Sequence, residues 1–197
     1  MDSSLLISLA VVVVVLFFLV SMFNKLVTMR NRYQNAFSQI EVQLKRRYDL
    51  IPNLVNAAKA YMKHESETLE AVVKARNEAM SGLNKASGDQ TGAGIAELAG
   101  AENQLTAAMG RFNMVMESYP DLKANQNMMQ LSEEMTSTEN KIAFARQGYN
   151  DSVTGYNSYK QQFPAVVFAG MFGHSADAKL LEFEDSAALQ KAPEVSF

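Results

Sequence analysis

The residue types that most often carry catalysis or bind metal are sparse in this sequence of 197 residues. Cysteine is absent, which excludes thiol nucleophiles, disulfides and thiolate ligands. The two histidines, His64 and His174, lie far apart, and His64-Glu65 does not continue as the zinc-binding H-E-x-x-H motif. No Glu-x-x-His pair of the kind that holds metal ions in helical bundles occurs either. The sequence therefore predicts no catalytic residue, no metal ligand, no cofactor and no enzymatic activity.

Phosphate and nucleic-acid sites are also disfavoured. The glycine-rich segment 86–94, ASGDQTGAG, lacks the lysine of a P-loop and follows no strand, so it predicts a hairpin tip between two helices. Residues 24–63 hold eight Lys or Arg against two acidic residues, whereas residues 64–197 hold ten against eighteen. Because the two parts attract each other on folding, the sequence predicts no one-sided basic patch and no nucleic-acid partner.

Polar residues on the two longest predicted helices form the remaining candidate cluster. They lie partway along both helices, so an antiparallel arrangement brings them face to face. We expect Glu139 to pair with Arg46 or Arg47, and Arg146 to pair with Asp49. Such pairs fix the register of the helices, since half-buried charges need partners; a binding groove is the alternative interpretation. The predicted polar network comprises Arg46, Arg47, Asp49, Asn53, Glu139, Asn140, Arg146, Asn150 and Asp151.

An uncharged apolar run precedes these helices. Residues 5–23, LLISLAVVVVVLFFLVSMF, are long enough to cross the ~30 Å hydrocarbon layer of a bilayer as a helix. A cleaved signal peptide is the alternative, but Asp2 is the only charged side chain before the run and residues 21–23 form no small-residue cleavage site. The run therefore predicts a retained transmembrane anchor. Its predicted membrane-facing residues are Leu5, Leu6, Val11, Val15, Phe17, Phe18, Val20 and Phe23.

Basic residues follow the anchor closely and predict its orientation. Lys25, Arg30 and Arg32 come directly after the run, and no basic side chain precedes it. The excess of Lys and Arg on the cytoplasmic side of membrane proteins places the N-terminus outside and most of the chain in the cytoplasm. The opposite topology remains as the alternative.

Apolar residues recur every three or four positions through most of the remaining chain, which predicts four amphipathic helices. The anchor continues into the first of them without a loop, because residues 21–24 contain neither Gly nor Pro. Pro52 predicts a kink near residues 48–52. Ser66 is the predicted N-cap of the second helix, and Pro120 ends the third. The four predicted helices cover residues 24–62, 66–83, 95–119 and 122–163.

The lengths of these helices predict an elongated molecule. At ~1.5 Å per residue the first is about 58 Å long, the fourth about 63 Å, and the other two roughly half of that. Short connections place consecutive helices antiparallel. The predicted fold class is all-α: an N-terminal transmembrane helix continues into an elongated antiparallel helical bundle, with four helices at the far end and a two-helix stalk near the membrane. The predicted parts are the anchor 1–23, the bundle 24–163 and a C-terminal part 164–197.

The C-terminal part begins at the membrane end of the predicted stalk. Residues 163–173, FPAVVFAGMFG, are strongly apolar but too short to span a bilayer. They lie in the membrane interface or against the stalk of a neighbouring copy, or alternatively pack on their own bundle. From about Ala176 the chain is predicted to be an acidic, partly mobile tail. The predicted membrane or oligomer contacts are Val166, Val167, Phe168, Met171 and Phe172.

Several blocks of sequence resemble the bacterial LemA family. The resemblance covers nearly the whole chain in the correct order and includes the anchor. It implies a membrane-anchored helical bundle in the bacterial inner membrane, with no established enzymatic activity and no catalytic residues. The family in turn resembles a protein needed for magnetosome membrane formation, which implies a role in membrane organisation. The matching blocks are residues 38–55, 63–77, 119–125, 131–151 and 156–164.

Two functions are compatible with these features. The first is a non-enzymatic scaffold that self-assembles at the membrane and organises or shapes it, with the lipid bilayer and further copies of the chain as partners. Contacts between elongated copies side by side close into rings or extend as filaments. The alternative is a membrane-tethered adaptor or sensor that docks a membrane protease or a signalling partner, with residues 176–197 as the expected docking element.

Overall fold

The computed structural model describes residues 3–183, and in this range the protein is entirely helical apart from its connections. No strand occurs among these residues, so the predicted all-α class is confirmed. The sequence favours this outcome because its apolar residues recur with a helical period over long stretches. The helices are α1 (Ser3–Lys59), α2 (Ser66–Gly88), α3 (Ala93–Met116), α4 (Pro120–Lys123), α5 (Gln126–Gln161) and α6 (Ala165–Phe168).

Helix α1 joins the apolar run to the bundle without interruption. Its 57 residues correspond to about 85 Å at 1.5 Å per residue. The predicted continuity between anchor and first helix is confirmed, and the helix also runs through Pro52. From Met22 onwards one face of α1 is buried in the core. That face comprises Met22, Leu26, Tyr33, Phe37, Ile40, Leu44, Tyr48, Ile51, Val55 and Ala58.

Helices α2 and α3 form the predicted hairpin, with a tip at residues 89–92. A Cβ atom at Gly94 would lie 2.9 Å from the carbonyl oxygens of Lys85 and Asp89, so only glycine fits where the chain turns back. The predicted N-cap Ser66 is wrong by one residue. Ser66 is the first residue of α2, and Glu65 before it makes no side-chain capping bond.

The predicted fourth helix is divided in two. The short helix α4 ends at Lys123, and α5 begins at Gln126 and ends at Gln161, so the expectation of one helix over 122–163 is wrong. Asn125 caps α5, because its side-chain oxygen accepts a hydrogen bond from the backbone N–H of Met128 at 3.2 Å.

Long-range packing joins α1 to α5 and α2 to α3, and the hairpin lies against the far part of α1. In the stalk, aromatic rings interlock: the ring centroids of Tyr33 and Tyr156 are 5.1 Å apart, and those of Phe37 and Tyr149 are 5.6 Å apart. The arrangement is therefore a four-helix region beyond a two-helix stalk, as the helix lengths predict.

The chain after α6 returns along α5 as an extended segment. Asn157 of α5 binds both the N–H and the C=O of Ala178, at 3.1 and 2.9 Å, and Asn150 binds those of Leu181 at 2.9 and 3.1 Å. Ala178, Leu181 and Phe183 are buried. The predicted mobile tail is thus wrong for residues 176–183, which pack against the bundle. Its remainder, residues 184–197, lies outside the described residues.

Candidate membrane-binding site

The first five turns of α1 expose apolar side chains in every direction. All eight predicted anchor residues are exposed, with exposed fractions between 39% and 76%. Within residues 3–183, α1 alone is long and apolar enough to cross a membrane by length and composition. Apolar groups exposed all round a helix are unfavourable in water and favourable in lipid, so this segment fits a membrane anchor.

The environment of α1 changes within one helical turn. Val20 is 57% exposed, whereas Met22 is 3% exposed and Leu26 is fully buried by the protein. Lys25 and Arg30 are exposed directly after this boundary, and Arg30 also lies within hydrogen-bonding distance of the Tyr33 side chain. An uncharged segment followed by cationic side chains is the pattern expected at the surface of a bilayer that contains anionic lipids.

Helix α6 and the turn after it lie beside this boundary. The rings of Phe23 and Phe172 meet edge to face with centroids 5.4 Å apart, and Phe172 stacks on Phe168 at 6.2 Å. Val166, Val167 and Met171 point outwards and are exposed. The five predicted contact residues therefore divide: the two phenylalanines attach the segment to its own chain, and the other three form an apolar patch beside the anchor.

The predicted polar network lies farther from the anchor, and its side chains have other partners than the sequence predicts. Arg47 pairs with Glu102 of α3, so the expected pairing with Glu139 is wrong. Arg146 lies over the ring of Phe183, 4.5 Å from its centroid, and not against Asp49. Asn150 holds the returning segment. The other predicted members, Arg46, Asp49, Asn53, Glu139, Asn140 and Asp151, are exposed.

The distal cluster, defined here as Arg47, Tyr48, Arg76 and Glu102, connects three helices. Both carboxylate oxygens of Glu102 are bound, one by the Arg47 guanidinium and one by the Tyr48 hydroxyl. Burial raises the pKa of Glu102, while Arg47 and the Tyr48 hydroxyl act in the opposite direction. Arg47, Tyr48 and Glu102 are buried, Arg76 is partly exposed, and both acidic oxygens are bonded, so the arrangement is suited to a structural role.

Pro52 explains the position of Arg76 in this cluster. Proline has no N–H, so the carbonyl oxygen of Tyr48, four residues earlier, loses its partner within the helix. Arg76 Nε of α2 donates to that oxygen at 3.0 Å. The proline therefore creates the acceptor by which α2 is fixed to α1.

The proximal cluster, defined as Tyr156, Lys160, His174 and Asp177, fastens the returning segment to the stalk. The Tyr156 hydroxyl and His174 Nδ1 are 2.9 Å apart, and the buried Lys160 ammonium binds Asp177. Burial lowers the pKa of His174, and the hydrogen bond from Lys160 lowers that of Asp177. The two histidines thus differ, because His64 is exposed and His174 is buried in this cluster.

Neither cluster is a metal site. In the range 3–183, no group of three or more His, Cys, Asp or Glu is placed to hold a metal ion. The concave surfaces of the described residues include two open grooves. The distal groove, about 860 Å³, lies between the end of α1 and α2, and the medial groove, about 610 Å³, lies between α1 and α5.

Comparison with known proteins adds a family. The model of the LemA family matches residues 36–197. A protein of Metamycoplasma hominis named Protein LemA is 31% identical over 135 residues, which is 68% of this chain and 58% of that protein. Two magnetosome proteins are each 29% identical over 160 residues, which is 72% of this chain and 58% of each relative. They are Magnetosome protein MamQ 2 of Paramagnetospirillum magneticum and Magnetosome protein MamQ of Magnetospirillum gryphiswaldense. The chain thus spans less than two thirds of these relatives.

Proposed function

The chain belongs to the LemA family, and from that premise we propose that it is a non-enzymatic scaffold that self-assembles in the bacterial inner membrane and organises or shapes it. The observation that carries this proposal is the apolar start of α1, exposed on all sides and continuous with the buried stalk. Likeness to proteins named as magnetosome proteins supports a role in membrane organisation.

The base of the molecule supports attachment at two points. The anchor inserts through the bilayer, and the patch of Val166, Val167 and Met171 lies in the interface next to it. Two contacts hold the stalk at a defined angle, since a single helix rotates and tilts freely in lipid. Copies held at one angle present the same faces to one another, which favours ordered assembly.

A non-enzymatic role is supported by how the buried polar groups are used. In both clusters the ionised groups are bound to structural partners on other elements. The proximal cluster does place the Tyr156 hydroxyl beside His174 Nδ1, but both side chains are buried, so this pair is not placed to meet a substrate.

The experiment that tests the scaffold is a measurement of mass and shape. The full-length protein is purified in mild detergent, its mass is measured by light scattering, and it is reconstituted into liposomes for electron microscopy. We expect a particle several times the 21.8 kDa chain mass and deformed or tubulated liposomes. A monomer that leaves liposome shape unchanged overturns the proposal.

A charge in the anchor provides the matched control. Val13→Arg places a cation at the centre of the span, where it costs ~2.5–3.5 kcal/mol of insertion free energy. Val13→Leu keeps the span apolar. The arginine variant is expected to lose both membrane insertion and liposome deformation, and the leucine variant to keep them.

Orientation is tested by labelling, because the chain has no native cysteine. We propose that the N-terminus is outside and the bundle in the cytoplasm, on account of Lys25, Arg30 and Arg32. Met114→Cys places a thiol at an exposed position of α3. A membrane-impermeant maleimide should label it only after the cells are lysed. Labelling of intact spheroplasts overturns this topology.

The distal groove favours a second candidate function, that of an adaptor. Its floor is apolar and its rim carries three lysines and two glutamates, Glu70 and Glu78, which suits an amphipathic helix with charges of both signs beside its apolar face. Val73→Arg fills the groove, and Met129→Arg is a control at another exposed site. Loss of a bound membrane protein in the first variant alone would support the adaptor. The groove is lined in part by Val55, Lys59, Met62, Lys63, Leu69, Val73 and Lys74.

A further inference from the structure

A large aromatic side chain is exposed in the middle of the bundle. Phe144 of α5 is 80% exposed, far along the stalk from the anchor and from the apolar patch at the base. Lipid therefore does not account for it. Interfaces are enriched in aromatic residues, and a few buried aromatic side chains carry most of their binding energy.

The medial groove is lined in part by this ring itself. Small residues form part of its wall, namely Ala36 of α1 with Ala145 and Gly148 of α5. Of its described lining residues Lys141 alone is charged, although one residue in five of the whole chain is charged. Depletion of charge around an apolar centre is the composition of an interface core. The polar lining residues are Gln39, Gln43, Ser137, Asn140 and Lys141.

Gln43 gives a second, independent indication. Its side-chain oxygen is buried and accepts no hydrogen bond from any residue in the described range. Buried acceptors in folded proteins normally have a partner. A donor on a molecule seated in the medial groove would supply one, and the amide of Asn140 or the ammonium of Lys141 on a second copy is such a donor.

Membrane attachment fixes the height at which two copies meet. Because each copy is anchored in the same bilayer, the symmetry axis between neighbours runs along the membrane normal, and equivalent residues lie at equal heights. The medial groove extends along α5 from Ser137 to Gly148, and Phe144 lies within that range. The ring of one copy therefore stands at the height of the groove of its neighbour.

We propose that Phe144 of one copy packs into the medial groove of a second copy and forms the contact by which the protein self-assembles. The inference rests on the proposed scaffold function and identifies its partner surface. If the exchange is mutual, the contact closes a dimer. If each copy gives its ring to one neighbour and receives one from another, the contact propagates into a ring or filament.

Two variants remove opposite halves of this contact. Phe144→Ala removes the ring, and Gly148→Arg fills the groove. Both should leave the single chain folded, because Phe144 is exposed and a Cβ atom at Gly148 meets nothing within 4 Å. Light scattering of each variant alone should show the mass of one chain. Met114→Ala, which truncates a side chain that is 74% exposed on α3, should keep the wild-type mass.

Mixing the two variants distinguishes a ring-in-groove contact from a general loss of association. The alanine variant keeps the part of the groove wall formed by Ala36, Ala145 and Gly148, and the arginine variant keeps its ring, so together they can form one contact in which a single ring is missing. We expect the mixture to give pairs made of one copy of each. The proposal is supported if neither variant associates on its own and the mixture does.

Cross-linking tests the same contact without changing Phe144. Gln39→Cys and Lys141→Cys are prepared as two separate single-cysteine proteins and combined, so a short bis-maleimide reagent can join them only between copies. A cross-linked pair supports the proposal. If the assembled protein gives no cross-linked pair, or if both variants keep the wild-type mass, the Phe144 contact is overturned but the proposed self-assembly is not. A wild-type protein that is itself a monomer overturns both this contact and the scaffold function.

Discussion

The distal and proximal clusters show two ways of placing charge inside one helical protein. In the distal cluster both members of the ion pair, Arg47 and Glu102, are buried. In the proximal cluster Lys160 is buried but Asp177 is 48% exposed. Water reaches one partner of the second pair and neither partner of the first. A buried pair is costly to break because its remaining charge stays desolvated, whereas a half-exposed pair can recruit water.

The first prediction concerns the distal cluster and has the largest expected effect. Glu102→Leu leaves the Arg47 guanidinium buried without a counter-charge, which should lower the free energy of unfolding by ~3–5 kcal/mol. The measurement is urea denaturation followed by circular dichroism. A triple variant that adds Arg47→Met and Tyr48→Phe should recover most of the loss, since all three polar groups are then replaced by apolar ones. If Glu102→Leu alone is as stable as the wild type, the proposed difference between the buried and the half-exposed ion pair is wrong.

The second prediction sharpens the role of Pro52 in that cluster. Arg76→Met removes the donor to the free carbonyl of Tyr48 and should cost ~1.5–3 kcal/mol, the usual range for a hydrogen bond to a charged group. In a Pro52→Ala background the helix supplies its own donor, so the same substitution should cost less. A double-mutant cycle measures this coupling, and additive effects would contradict the assignment.

The third prediction concerns acid sensitivity of the proximal cluster. Burial, together with the cations Arg30 and Lys160, lowers the pKa of His174. The folded protein therefore binds that proton less tightly than the unfolded chain. The corresponding stability is present above about pH 6.5, the ordinary histidine pKa, and is lost as the pH falls below it. Asp177, whose pKa is also lowered, contributes only at more acidic pH.

The measurement is the melting temperature between pH 7.5 and pH 5.0. The wild type should lose more than a His174→Gln variant over this interval, and the difference should be smaller than the effect of Glu102→Leu. Equal losses in both proteins would remove His174 as the cause.

The fourth prediction supplies the baseline. Lys85 and Glu97 join α2 to α3 across 2.5 Å, and both side chains are about half exposed. Glu97→Gln should change the free energy of unfolding by less than ~0.5 kcal/mol, because water and salt screen an exposed pair. Chemical denaturation beside the Glu102→Leu protein gives the comparison directly. A loss of similar size in both would show that burial does not control the energetics.

Much of this fold follows from local patterns that a sequence displays. The apolar run, the helical period and the glycine-rich tip each act over a few neighbouring residues. The structure contains all three, although the tip covers residues 89–92 and is shorter than the predicted 86–94. The division between α4 and α5 was predictable in principle from Asn125, a strong N-cap residue. It was missed because Leu122 and Leu131 continue the apolar period across the break.

The partners of buried charges depend on tertiary contacts and are harder to predict. Glu102 stands in the apolar stripe of α3, between Leu98 and Leu105. A carboxylate in such a stripe needs a cationic partner inside the core. The position of Glu102 in the sequence therefore indicates that Glu102, and not Glu139, is the partner of Arg47. The returning segment left no comparable signal, since Asn150 and Asn157 bind its backbone and impose no pattern on its side chains.

The unbroken course of α1 has a mechanical consequence. Some 36 residues of the helix lie beyond Phe23, which corresponds to about 54 Å of continuous helix after the apolar segment. Transmembrane helices change tilt to match bilayer thickness, and a tilt of about 20° swings the end of such a helix by roughly 18 Å. If the anchor spans a bilayer as proposed, a small change in its tilt would move the distal groove by a much larger distance, and the second attachment at Val166, Val167 and Met171 is the feature that limits this displacement.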